Sequence, residues 1–130
     1  MWVDRDKVNR HVVLVTGGRD YTDSDSMRSR LSKYPVGTLL IHGEAIGADT
    51  MAGDIGVTLG FRVLSEPYFK ESGKLGGPRR NQLLVDIARA YERSGYIVNV
   101  EAFPTPGCTG TWDCVNRAKL AGLPVDDGVR

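Results

Sequence analysis

The chain has 130 residues, with 17 Lys+Arg against 16 Asp+Glu and a formal net charge of +1. A chain of that length builds one compact domain that hides roughly two-thirds of its unfolded surface; it is too short for two ordinary domains and needs no disulfides to fold. The near-zero charge disfavours a domain made to grip nucleic acid, no apolar run approaches the ~20 residues of a membrane span, and Met1–Lys7 lacks the apolar core of a signal peptide.

The first strong signal is His11-Val12-Val13-Leu14-Val15-Thr16, a continuous apolar run closed by Gly17-Gly18. Such a run suits a strand buried on both faces, as in a parallel sheet. Thr22 or Asp23 can cap a helix that runs to about Tyr34, where Pro35 stops it. Thr38 to His42 is a second buried strand, ended by Gly43. A helix then starts near Gly47-Ala48-Asp49 and ends at Gly60, a good C-cap residue. Phe61 to Leu64 is a third strand. The polar stretch Tyr68 to Gly77, with Lys70, Lys74 and three glycines, reads as a mobile loop.

Pro78 can open a helix in its first turn, and Leu83, Leu84, Ile87, Ala88 and Tyr91 follow at helical spacing. Tyr96 to Val100 is a fourth strand, Asp113 to Ala121 a helix, and Leu123-Pro124-Val125 a short last strand. Strands alternating with helices predict a single Rossmann-like α/β domain of three layers, with a mostly parallel sheet of four or five strands. It spans 11–125, between an N-terminal extension (1–10) and a frayed C-terminal tail (126–130).

Ligands of an open parallel sheet sit at the carboxyl ends of the strands. Four segments fall there: Thr16 to Asp20, His42 to Asp49, Gly76 to Asn81, and Pro106-Gly107-Cys108-Thr109-Gly110-Thr111-Trp112-Asp113-Cys114. The last is a Gly/Thr-rich turn between a strand and a helix. Free N–H groups and the positive end of a helix dipole make such a turn a phosphate cradle. The expected partner is a nucleotide-like, phosphorylated small molecule.

The candidate ligand contacts are Gly17, Gly18, Arg19, Gly43, Glu44, Asp49, Arg79, Arg80, Asn81, Gly107, Thr109, Gly110 and Thr111. Gly17 and Gly18 let the chain pass close to a ligand. Arg19 can fork onto a phosphate, or simply pair with Asp20 or Asp23. Arg79 and Arg80 stand at a helix start, where cations oppose the dipole and a bound anion would relieve the conflict. Asn81 can bond a base, a ribose or a loop. Thr109 and Thr111 can meet a phosphate or cap the helix. Glu44, Asp49 and Asp113 are the candidate acids or bases, although capping accounts for Asp49 equally well. His42 reads as a histidine hydrogen-bonded beside the second turn. Trp112 reads as packed against the sheet.

Cys108 and Cys114 are the only cysteines. Two cysteines without a secretory signal fit a reducing, cytoplasmic setting. They form no zinc site, because two more ligands are missing and His11 and His42 lie in separate segments. A helix N-terminus can activate a thiol, but no histidine lies nearby in sequence to serve as base, so buried, inert cysteines are the simpler reading. The first turn is not G-x-G-x-x-G, so the dinucleotide fingerprint is absent. No cofactor is expected.

Taken together, Val13 to Tyr21, His42 to Asp49, Gly76 to Asn81 and Ala102 to Thr111 resemble the YspA/YpsA-related branch of the SLOG superfamily, over about residues 11–125. That superfamily includes the Lonely-guy phosphoribohydrolases, the DNA-processing protein DprA, molybdenum-cofactor carriers, and sensor domains for NAD-derived signals. The resemblance implies a Rossmann-like fold, binding of a nucleotide or nucleotide-derived ligand, and a homodimer. The Lonely-guy motif is P-G-G-x-G-T-x-x-E, with catalysis by the final Glu and by an Arg that Arg80 matches. Here Cys108 takes the third position and Cys114 the last. A thiol cannot replace a carboxylate that stabilises a ribosyl cation or activates water. Asp113 is one residue away, rotated by roughly 100° on a helix. The resemblance therefore implies binding more than hydrolysis.

Overall fold

The computed structural model describes residues 10–43, 47–66 and 76–128. Five strands, β1 (His11–Gly17), β2 (Leu39–Gly43), β3 (Arg62–Glu66), β4 (Ile97–Phe103) and β5 (Val125–Asp126), form one sheet in the order β3-β2-β1-β4-β5. Every neighbouring pair is parallel. The helices are α1 (Ser24–Leu31), α2 (Ala48–Thr58), α3 (Gly76–Arg93) and α4 (Thr109–Leu120). Among the described residues no helix is long and apolar enough to cross a membrane.

The β1 run explains the layering. Val12 and Leu14 face one side of the sheet, where they pack with Leu84, Val85 and Ala88 of α3 and Cys114 and Ala118 of α4. Val13 and Val15 face the other side, against Met27 and Leu31 of α1 and Ala52 and Ile55 of α2. A strand apolar at consecutive positions is therefore buried twice over, which gives the three-layer α/β sandwich. The chain winds outward from β1 to β3, then crosses back to place β4 on the other side of β1. The crevice at that reversal is where doubly wound sheets bind ligands.

Several boundaries move from their sequence positions. Asp23 is the cap of α1, its carboxylate accepting from the Ser26 N–H at 3.0 Å. The helix stops at Leu31 and not at Tyr34: Ser32 is its C-cap, and the chain leaves through a turn in which the Tyr34 N–H donates to the Leu31 carbonyl at 3.1 Å, just before Pro35. Helix α3 begins at Gly76, so Gly76 and Gly77 belong to its first turn and not to the preceding loop; residues 67–75 lie outside the described part. Strand β5 is shifted to Val125–Asp126, so Asp126 pairs in the sheet, opposite Glu101.

The largest change is β4, which runs on to Phe103 and pairs with β1 along its whole length. Glu101 ends the apolar run in sequence but lies inside the strand, 1 % exposed. Its carboxylate accepts from Arg30 Nε at 3.2 Å and the Tyr34 hydroxyl at 2.6 Å, and Lys33 Nζ stands 3.0 Å away. Burial, and then the Glu101 carboxylate, hold the Tyr34 hydroxyl protonated well above its usual range. Arg30 also donates to the carbonyls of Ala102 (3.0 Å) and Asp126 (2.8 Å) and lies over the Phe103 ring. A buried charge needs this many partners to be tolerated.

Candidate functional site

A cleft of about 630 Å³ opens at the carboxyl ends of β1 and β4. Thr16 to Asp20 from the end of β1 form one wall, and Thr105 to Thr111 between β4 and α4 form the other. Asp49 of α2 and Gly77 and Arg80 of α3 complete the lining. Of the sequence candidates, Gly17, Gly18, Arg19, Asp49, Arg80, Gly107, Thr109, Gly110 and Thr111 meet here. Glu44 lies outside the described residues.

The β1 wall is closed by backbone contact. The Gly18 N–H donates to the Phe103 carbonyl at 3.1 Å, and the Gly18 carbonyl accepts from Tyr21 and Ala48, both at 3.2 Å. A Cβ on Gly17 would come within 2.9 Å of the Phe103 carbonyl oxygen, and one on Gly18 within 2.8 Å of Thr105 Cβ. Gly47, the cap of α2, has φ +81°, and a Cβ there would press into the Arg19 and Gly18 backbone. Only glycine lets these three segments touch.

The other wall is open. A Cβ on Gly107 or Gly110 would meet nothing within 4 Å. Helix α4 starts at Thr109, four residues earlier than its sequence suggests, so the Gly/Thr motif is itself the first helical turn. Cys108 occupies the cap position but does not cap; its Sγ accepts from the Thr105 N–H at 3.2 Å. The bonds at this end run from Thr109 N–H to the Gly107 carbonyl and from Trp112 N–H to the Cys108 carbonyl. Among the described residues the Gly110 and Thr111 N–H groups find no acceptor. Thr111 is 3 % exposed, and its buried hydroxyl also has no partner. The same holds for Nε of Arg80. The Arg80 guanidinium lies on Gly43, where a Cβ would approach Cζ and Nε to 2.8 Å. Gly43 thus sits behind Arg80, outside the lining, and makes room for it.

Asp49, 4 % exposed, is the one candidate acid that reaches the cleft among the described residues. Asp113 does not line it. Its carboxylate accepts from Asn81 Nδ2 and Arg117 Nε, both at 2.9 Å. Burial pushes its pKa up, but the Arg117 and Asn81 hydrogen bonds outweigh that and hold it below the usual carboxylate value. Asn81 is buried and also donates to the Gly110 carbonyl at 3.2 Å. It braces α3 against α4 and does not line the cleft. Arg79 is exposed and does not line it either.

Cys114 is fully buried behind Thr16, and burial pushes its thiol up to about 11, with the Thr16 hydroxyl working the other way. It is a core residue. Trp112 is not packed on the sheet: it is 39 % exposed on the outer side of α4, because Thr111 and Cys114 take the inward positions of that turn. His42 is buried against Gly53 of α2, its Nδ1 beside the Gly43 carbonyl, away from the cleft. Thr16, Asp20, Gly77 and Thr105 line the cleft without standing among the candidates. Their adjacency to strand-end glycines and to Arg80 is the signal that could have found them.

The fold and cleft define a class, a doubly wound α/β domain with a pocket at its topological switch point. No protein-family profile matches the sequence. Gene 61 protein of Mycobacterium phage D29 is 33 % identical over 123 residues, covering 87 % of this chain and 92 % of that protein. The chain belongs to the family of that phage protein. Among solved structures, DNA processing protein A (DprA) from Streptococcus pneumoniae superposes with a TM-score of 0.50 at 15 % identity. The match covers 95 % of this chain but only 61 % of DprA, and at that identity it shows a shared fold alone.

Proposed function

We propose that the chain is a SLOG-type domain, related to the YspA/YpsA branch, that binds a phosphorylated, nucleotide-like small molecule. The phosphate sits over Gly107 to Thr111 with Arg80 opposite, and Gly17, Gly18 and Arg19 line the adjoining wall. One observation carries this reading. Among the described residues the Thr111 hydroxyl and Arg80 Nε are both buried without a partner, in one cleft, beside an uncapped helix N-terminus. Leaving a buried donor unpaired costs about 1–3 kcal/mol. An anion there would satisfy both, with the dipole in its favour. With Cys114 in place of the Lonely-guy Glu, the domain holds its ligand without cutting it, as a sensor or a sequestering protein.

Calorimetry against inorganic phosphate, AMP, ADP-ribose and cyclic nucleotides tests the reading. Binding of at least one is expected, and Arg80→Ala should weaken it about 10- to 100-fold, the worth of one charge-assisted hydrogen bond. If nothing in the panel binds, or Arg80→Ala binds as well as the wild type, the reading falls.

Asp49 gives some support to a second reading, an N-glycosidic hydrolase or transferase. A carboxylate in the cleft floor could stabilise a ribosyl cation. Its mark would be free base released from AMP-like or NAD-like substrates, abolished by Asp49→Asn. Single-stranded DNA, suggested by the likeness to DprA, has less support because the chain is near neutral.

A further inference from the structure

Arg80 and Asn81 are consecutive on α3, so their side chains leave the helix about 100° apart. Arg80 enters the cleft. Asn81 points into the seam between α3 and α4, where its one amide nitrogen bonds two groups of α4, the Gly110 carbonyl at 3.2 Å and Asp113 Oδ2 at 2.9 Å. Asp113 is itself gripped by Arg117 Nε at 2.9 Å. Arg117 in turn donates through Nη1 to Gln82 Oε1 at 2.9 Å, which returns the chain of bonds to α3. The loop is closed, since Asn81 and Gln82 on one helix are tied to Gly110, Asp113 and Arg117 on the other. Of its members only Gly110 lines the cleft; Asn81, Gln82, Asp113 and Arg117 stand behind it.

The two ends of this brace are the two halves of the anion seat. Gly110 lies in the open first turn of α4, and Asn81 adjoins the cation. The apolar packing of α3 on α4 lies further along both helices, at Leu84, Val85, Ala88, Cys114 and Ala118, while Gly107 and Gly110 have no neighbours within 4 Å where a Cβ would lie. We propose that Asn81, held by Asp113 and Arg117, is a positioning residue that sets the distance between the Arg80 guanidinium and the N-terminus of α4, and so sets the affinity of the cleft for a phosphate. This rests on the phosphate-binding reading above. A ligand held by a guanidinium on one helix and by N–H groups on another gains from both only when their separation is preset.

The test is a double-mutant cycle read with inorganic phosphate, followed by amide chemical shifts, on the full chain. Arg80→Ala alone first establishes the cation's contribution. Asn81→Ala should weaken phosphate about 3- to 10-fold when Arg80 is present and less than about twofold when it is absent, because coupled residues do not add. A residue that merely supports the fold would weaken both backgrounds equally. Should Asn81→Ala fold poorly, Arg117→Met loosens the same brace from the helix surface, with a smaller Arg80-dependent loss expected. Equal losses with and without Arg80, or no loss with it, overturn the proposal while leaving the site in place. Failure of inorganic phosphate alone to bind the wild type overturns this proposal; failure of every ligand of the panel above, or indifference to Arg80→Ala, overturns both.

Discussion

The two walls of the cleft use glycine for opposite reasons. On the β1 wall, Gly17, Gly18 and Gly47 are pressed against backbone and side chains, and no other residue fits. On the α4 wall, Gly107 and Gly110 face open space. Gly107 has a conformational reason, with φ +77°, but Gly110 is helical and has none. A glycine in a helix costs roughly 0.5–1 kcal/mol relative to alanine. Neither the backbone conformation nor the packing among the described residues accounts for glycine at that position. The comparison separates a wall that glycine builds from a wall that glycine vacates.

The largest expected effect comes from adding a methyl group to the built wall. Gly47→Ala places a Cβ within 2.6 Å of the Arg19 carbonyl carbon and 2.7 Å of the Gly18 carbonyl oxygen, at φ +81°. Overpacking and a glycine-only conformation together should cost about 2–5 kcal/mol. Urea unfolding would show this as a much lower midpoint. A midpoint within the error of wild type would mean that the wall is not close-packed.

The same methyl group on the vacated wall should do the reverse. Gly110→Ala should raise stability by about 0.5–1 kcal/mol, or roughly 2–4 °C in Tm. Its methyl would stand over the helix N-terminus, so phosphate binding should weaken at least about tenfold. Opposite signs in the two measurements are the signature of a functional glycine. A more stable variant that binds phosphate normally would place the ligand elsewhere.

The central strand and the four strand-end motifs could be read from residues alone, because an unbroken apolar run and glycines at strand ends are local signals. The length of β4 could not. Glu101 looks like the end of a buried run, and the side chains that make it tolerable, Arg30 and Tyr34, lie 71 and 67 residues away in sequence. The start of α4 was hidden differently, since Thr109-Gly110-Thr111 has turn composition and only the packing of Thr111 and Cys114 winds it into helix. Their chemistry and place in their motifs suggest Asn81 as a ligand contact and Asp113 as an acid or base. Their partners are each other, 32 residues apart, and no local pattern could say so. Arg80 was legible as a cation near an expected helix start at Pro78, but the helix begins at Gly76 and Arg80 lies beyond its first turn; that its Nε is buried without a partner among the described residues is a tertiary fact.

The smallest effect concerns how each wall responds to acid. The junctions of the built wall are made by backbone groups at Gly18, Ala48 and Phe103, which do not titrate. The vacated wall is braced through the Asp113 carboxylate, whose pKa the Arg117 and Asn81 hydrogen bonds depress in the folded state despite burial acting in the other direction. A depressed carboxylate contributes stability above its unfolded pKa of about 3.9 and loses it as pH falls through the lower folded value. Between pH 7 and 5 this group should therefore change nothing. Below about pH 4 the brace should loosen, and amide exchange at 107–111 should rise before exchange at 17–18. Because Asp113 and Arg117 are each about a third exposed, solvent screening keeps the effect small. Asp113→Asn should flatten the fall of Tm with pH in that window, and an unchanged slope would assign the acid response to other carboxylates.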